Sequence, residues 1–257
     1  MRPLKTSASI VGFVLSLRIA PIHAHTWVEQ VLRIKDSQLV GPIGYPRAHV
    51  PRNDPTFSDV RAQNKVVIGG DAPLPDDIKM CKPEQTMESY TDEFPMLKAN
   101  PGDWVSLGFA ENGHTTLKTD FKPANGGTVF IYGTMEPLPP NEEKLNNIHL
   151  VWNAAGTGGD GRGRLLATSN FDNGVCHENN SGPESTKRKQ ETGLDTLLCQ
   201  ADVQLPDDIS EGTYTLYWVW DWPNLKEGVD NLSATGTEDL DTRGATEMYT
   251  SCIDLEI

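Results

Sequence analysis

The stretch Tyr214-Thr-Leu-Tyr-Trp-Val-Trp-Asp-Trp222 decides the fold. Its aromatic and β-branched content is that of a strand, and a two-residue period puts Trp218, Trp220 and Trp222 on one face. Most of that face is expected to be core. Elsewhere no long segment shows helical periodicity, and 18 Pro and 23 Gly punctuate the 257 residues throughout. What recurs is the short alternating or apolar run, at residues 26–34, 103–110, 128–134, 149–153, 164–168, 201–205, 213–222 and 249–257. Many short strands separated by turn signals indicate an antiparallel sandwich or barrel. The expected fold is all-β, an immunoglobulin-like or fibronectin-like β-sandwich with long loops.

Between these runs, residues 41–59 (GPIGYPRAHVPRNDPTFSD) are too rich in Pro and Gly for regular structure, and a long ordered loop of this kind is often functional. Residues 156–164 (GTGGDGRGR) suggest a phosphate cradle, but they lack a Gly-Lys-Ser/Thr ending and open no helix. A surface turn is the better reading. Residues 183–189 and 190–196 have the composition of solvated loop.

Residues 1–24, MRPLKTSASIVGFVLSLRIAPIHA, have a basic start, a short apolar stretch and Ala24 before a cut. That is the order of a secretory signal peptide. The apolar stretch is too short for a membrane span, which needs about 20 residues. A membrane anchor or a first strand is the alternative, and Arg18 argues against both. The expected product is a secreted, extracellular, monomeric protein with one domain over residues 25–257, beginning at His25. Losing Arg2, Lys5 and Arg18 takes the net charge from −14 to −17. So acidic a chain repels nucleic acid and anionic membranes, whereas a neutral glycan meets no such penalty. Cys81, Cys176, Cys199 and Cys252 form no C-x-x-C pair, so two disulfides are expected, with three connectivities open. Asn179 and Asn231 open glycosylation sequons.

Once cleaved, His25 offers an α-amine and a ring nitrogen in one residue. The amine has an ordinary pKa of about 8 and can yield its proton to a metal. A second histidine would complete a three-nitrogen, near-planar set, which suits Cu(II) better than tetrahedral Zn(II).

Four segments then resemble the fungal lytic polysaccharide monooxygenases, copper enzymes that cut glycans oxidatively. They are His25 itself, Pro101-Gly-Asp-Trp-Val-Ser-Leu-Gly-Phe-Ala-Glu-Asn-Gly-His114, Leu205-Pro-Asp-Asp-Ile-Ser-Glu-Gly-Thr-Tyr214 and Glu247-Met-Tyr-Thr-Ser-Cys252. The signature HTWVEQ…ENGH…YWVWDWP…YTSC also resembles a group of secreted fungal proteins. The resemblance implies one copper ion held by His25 and His114 as a histidine brace, with Tyr249 axial and Glu247 as an outer polar residue. It implies Cys81–Cys252, leaving Cys176–Cys199. It also implies oxidation beside a glycosidic bond, a polysaccharide substrate and an external electron donor.

Two departures matter. The family has an amide where this chain has Glu247, and a strand-end histidine where it has Asp221-Trp-Pro-Asn224. Asp221 or Glu247 could serve as proton source instead, since a carboxylate beside an apolar site has a raised pKa. The missing histidine gives weight to an alternative, a non-catalytic copper-binding or cell-wall-associated protein on the same scaffold. A plain carbohydrate-binding or structural sandwich without metal is the third reading.

Each residue also has a plainer reading. His114 alone would be a turn residue, Tyr249 a core tyrosine and Glu247 a solvated strand residue. His149 is expected as a strand histidine and His177 as exposed. His49 lies in the Pro-rich loop, and Tyr45 could stack on a sugar or simply pack.

Overall fold

The computed structural model describes residues 25–67, 75–117, 126–222 and 247–257. Among these described residues ten strands form: β1 (Val28–Lys35), β2 (Gln38–Gly44), β3 (Asn64–Val67), β4 (Leu97–Lys98), β5 (Trp104–Phe109), β6 (Thr128–Thr134), β7 (Gly163–Asn170), β8 (Cys199–Gln204), β9 (Thr213–Trp222) and β10 (Glu247–Glu256). They make a four-stranded sheet, β2-β1-β5-β8, and a six-stranded sheet, β3-β10-β9-β6-β7, with β4 added beside β10. Pairing is antiparallel except between β4 and β10. The expected antiparallel β-sandwich is what forms. Short helices α1 (Asp59–Ala62) and α2 (Leu145–Ile148) and a longer α3 (Pro183–Thr192) decorate it.

The six-stranded sheet is covered on both faces. Its inner face gives Val129, Ile131, Leu216, Trp218, Trp220, Tyr249, Ile253 and Leu255 to the core between the sheets. Its outer face gives Phe130, Tyr132, Tyr217, Val219 and Met248 to a second cluster, roofed by Met80, Leu145, Ile148, Leu150 and Trp152. Burial on both faces explains why Leu216–Trp220 is apolar without a break rather than alternating. Trp218 and Trp220 are fully buried; the side chain of Trp222 is not described.

Disulfides join Cys81 to Cys252 and Cys176 to Cys199. The first fastens the roof to β10, helped by the Thr250 hydroxyl, which donates to the Met80 carbonyl at 2.6 Å. Disulfides persist in oxidising compartments, which accords with secretion. Among the described residues no helix is long and apolar enough to cross a membrane.

Three expectations need correction. Residues 41–44 are not loop: they complete β2 at the sheet edge, where Pro42 costs no ladder bond. Residues 183–192 are not solvated coil but α3, with Pro183 in the first turn and Gly193 at the C-cap (φ 71°). It lacks an apolar stripe because it docks through Arg188, whose guanidinium donates twice to Asp172 (2.6 and 2.9 Å) and once to the Cys176 carbonyl (2.8 Å). Residues 149–153 are not a strand. They follow α2 through Leu150 at φ 64°, and Leu150 and Trp152 belong to the roof while Val151 is exposed.

Candidate metal centre

The segment at His25 is clamped between the two sheets. The Thr26 hydroxyl donates to the Ala110 carbonyl (2.8 Å), and the Val28 N–H donates to Ser251 Oγ (3.0 Å). The Asn112 side-chain amide donates to the His25 carbonyl. On the ring, Nδ1 meets Gln63 Oε1 at 2.8 Å and Nε2 lies 3.8 Å from Asp59 Oδ2. Gln63 stands just ahead of β3, which pairs with β10 so that Lys65 faces Tyr249.

His114 is delivered by the turn Glu111-Asn-Gly-His114, closed by a 2.8 Å bond from the His114 N–H to the Glu111 carbonyl. Asn112 (φ 45°) and Gly113 (φ 76°) are both left-handed, a conformation that Asn and Gly tolerate best. The turn sends the His114 ring inward, 6% exposed. There it meets Trp220, Phe171 and Tyr249 edge-on, with centroids at 4.6, 5.9 and 6.3 Å. The Glu111 carboxylate is buried and accepts from the Thr115, Thr116 and Glu178 N–H groups (2.7, 3.2 and 3.3 Å), which anchors the following chain.

Tyr249 lies opposite Trp220 in the β9–β10 register and stacks on it at 5.2 Å. Its hydroxyl donates to Glu247 Oε2 at 2.6 Å, and Glu247 Oε1 takes the Lys65 ammonium at 2.5 Å. Burial, and then the Glu247 carboxylate, hold the Tyr249 phenol well above its ordinary range, so it stays protonated. Glu247 therefore sits beside the site as an ion-paired acceptor.

Asp221 belongs elsewhere. Neighbouring strand residues face opposite ways, so with Trp220 turned to the inner core the Asp221 side chain points to the roof. There it meets His149 Nε2 at 3.0 Å. The idea that it replaces the strand-end histidine as a proton source at this site fails on that geometry. His149 is a buried residue at the end of α2 rather than in a strand. His177 is buried rather than exposed: its ring nitrogens lie 3.1 Å from the Val175 and Leu194 carbonyls, drawn in by the Cys176–Cys199 bridge. His49 packs between Tyr45 and Phe94 (4.7 and 4.9 Å), and burial lowers its pKa to about 4. Tyr45 is accordingly a packing residue. Asn179 is exposed and its amide donates to Asp195. Residues 1–24 and Asn231 lie outside the described residues.

Sequence reasoning missed Gln63, Lys65 and Arg52. Arg52 comes from the long loop after β2, pairs with Glu29 (2.7 Å), reaches Asn112 (3.3 Å) and lies 4.8 Å over the Trp27 ring. The one available signal was the Asn112-Gly113 pair, a left-handed turn that fixes where the next side chain points.

Among the described residues no group of three or more His, Cys, Asp and Glu side chains gathers as a metal cage. A brace uses only two histidine rings and a backbone amine. The donor types would suit copper: Asn112 ties the His25 backbone to the turn that carries His114, and a free α-amine at His25 would add a third nitrogen. An amine-plus-Nδ1 chelate requires the Gln63 contact to be exchanged for the ion.

No curated protein matches the chain. Among solved structures it is similar to CvAA9A, at 14% identity over 90% of this chain and 78% of that chain, with a TM-score of 0.38. It is also similar to a cellulose-active polysaccharide monooxygenase from M. thermophila (10% identity, 90% and 77% covered, TM-score 0.36). A lytic polysaccharide monooxygenase from Streptomyces lividans follows (10% identity, 75% and 81% covered, TM-score 0.32). The family described as "Domain of unknown function (DUF7492)" matches residues 22–257, and the chain belongs to that family.

Proposed function

We propose that the chain is a secreted, monomeric copper protein whose processed N-terminus at His25 and whose His114 hold one copper ion, and that it acts oxidatively on a polysaccharide. The observation that carries the reading is the bond from the Asn112 amide to the His25 carbonyl, which ties the N-terminal histidine to the turn delivering His114. Bound copper would supply one-electron redox chemistry, fed by an external electron donor. The chain's own residues do the rest. Asn112 orients His25, Trp220 and Phe171 wall the His114 ring, and Glu247 accepts the hydrogen bond of the Tyr249 hydroxyl so that its oxygen stays a neutral, weak donor.

A second reading, copper capture without turnover, is favoured by burial: the His114 residue is 6% exposed and Tyr249 is fully covered. Calorimetric titration with Cu(II) tests what both readings share. Protein beginning at His25 should bind one ion tightly, and protein retaining Ala24 or carrying His114→Ala should lose most of that affinity. Equal affinity in all three would overturn the centre. Mass spectrometry of products from cellulose, xylan, chitin, glucan and pectin, with reductant and peroxide, then separates the readings. Copper binding without oxidised sugars leaves the capture reading standing.

A further inference from the structure

In the roof layer, away from the candidate centre, three polar side chains lie in a buried row. Tyr132 of β6 and Asp221 of β9 stand on the outer face of the six-stranded sheet, and the His149 ring bridges them. It sits edge-on above Phe130 at 4.8 Å. Its Nδ1 is 3.0 Å from the Tyr132 hydroxyl and its Nε2 is 3.0 Å from Asp221 Oδ2. The phenol oxygen also accepts the Leu150 N–H at 3.0 Å. With neutral imidazole the proton positions follow: Nε2–H donates to the carboxylate, and Nδ1 accepts the phenol proton. Water cannot take that proton, because Tyr132 is 1% exposed and the His149 and Asp221 side chains 0% and 1%. Asp221 Oδ1 has no hydrogen-bond partner among the described residues, which leaves the carboxylate capacity to stabilise a cation beside it.

We propose that Tyr132, His149 and Asp221 form a proton-coupled redox relay, with Tyr132 as its reversible one-electron carrier. An outer-sphere one-electron oxidant, or a peroxide-derived radical, removes one electron from Tyr132. The phenol O–H bond breaks and its proton forms the Nδ1–H bond of His149. The products are a neutral tyrosyl radical, an imidazolium paired with Asp221 and the reduced oxidant. An electron from a reductant and the same proton reverse the step. The electron has a way out: the Tyr132 ring is 6.4 Å from Trp152, whose Nε1–H donates to Asp160 at the surface (3.0 Å). None of this rests on the copper reading.

The test is flash-quench photo-oxidation of the metal-free protein with ruthenium tris(bipyridine) and a sacrificial electron acceptor. The radical is followed by electron paramagnetic resonance and transient absorption. Wild type should give a neutral tyrosyl radical whose formation slows in D2O, and Tyr132→Phe should remove that signal. His149→Gln should lower the yield by about tenfold or more, going by the worth of a hydrogen bond to a charged group. Asp221→Asn keeps the shape and should shorten the radical's lifetime. The same radical in Tyr132→Phe overturns the proposal, as does a wild-type rate unchanged in D2O. Yields and lifetimes unmoved by both other variants, with thermal unfolding still cooperative, also overturn it and mark the row as structural. The D2O comparison needs no variant, so a misfolded mutant leaves the proposal testable.

Discussion

Around His25 two amide side chains act in opposite senses. Asn112 holds the backbone where a chelate would form, while Gln63 occupies the ring nitrogen that the chelate needs. A neutral hydrogen bond is worth about 1 kcal/mol net, so Asn112→Ala should weaken Cu(II) binding by several-fold and Gln63→Ala should strengthen it by a similar factor. Calorimetry on the two variants checks the signs; a loss of affinity in both would mean that Gln63 supports the ion rather than competing with it. Sequence alone showed His25, His114, Tyr249 and Glu247 as candidates. It could not show Gln63 or Lys65, because their relation to the site comes from β3 lying beside β10, a pairing across more than 180 residues of chain. The misreading of Asp221 has a simpler cause. Parity along β9 was available in the sequence, but which face held the site was not.

The segment after β2 shows how an irregular stretch becomes ordered without regular structure. Arg47 is buried in it and donates twice to Asp254 of β10 (2.7 and 2.6 Å), once to Thr215 Oγ1 (3.2 Å) and once to the Gln85 carbonyl (3.4 Å). Removing one partner of a buried ion pair strands the other, at a cost of about 3–5 kcal/mol. Arg47→Met should destabilise by that order in chemical denaturation, while the double variant Arg47→Met with Asp254→Leu should recover much of the loss. Proline and glycine in residues 41–59 announced a loop and concealed both the end of β2 and this anchor, since neither has an apolar period. The same blindness hid α3. By contrast β1, β5, β6, β8, β9 and β10 were legible, because each carries apolar side chains into a core at the strand period.

Across the whole molecule, stability should fall as the solution is acidified toward pH 4, partly through His49. Burial lowers its pKa from 6.5 to about 4, so the unfolded chain takes up a proton there that the folded one refuses. This contribution is complete above pH 6.5 and is lost progressively between pH 6.5 and 4. His49→Phe, which can keep the contact with Tyr45 and Phe94, should flatten that part of the profile of unfolding midpoint against pH. An unchanged slope would assign the acid sensitivity to other groups.

The bond between Cys81 and Cys252 has a practical corollary for anyone handling the protein. It closes a covalent ring around 171 residues of chain, nearly everything after the first few strands. A protease that cuts once anywhere inside that ring opens it without releasing a piece. Nicked material should therefore run at full mass on a denaturing gel and separate into two fragments only when reductant is added. Clipped molecules would pass unnoticed through any purification judged without thiol.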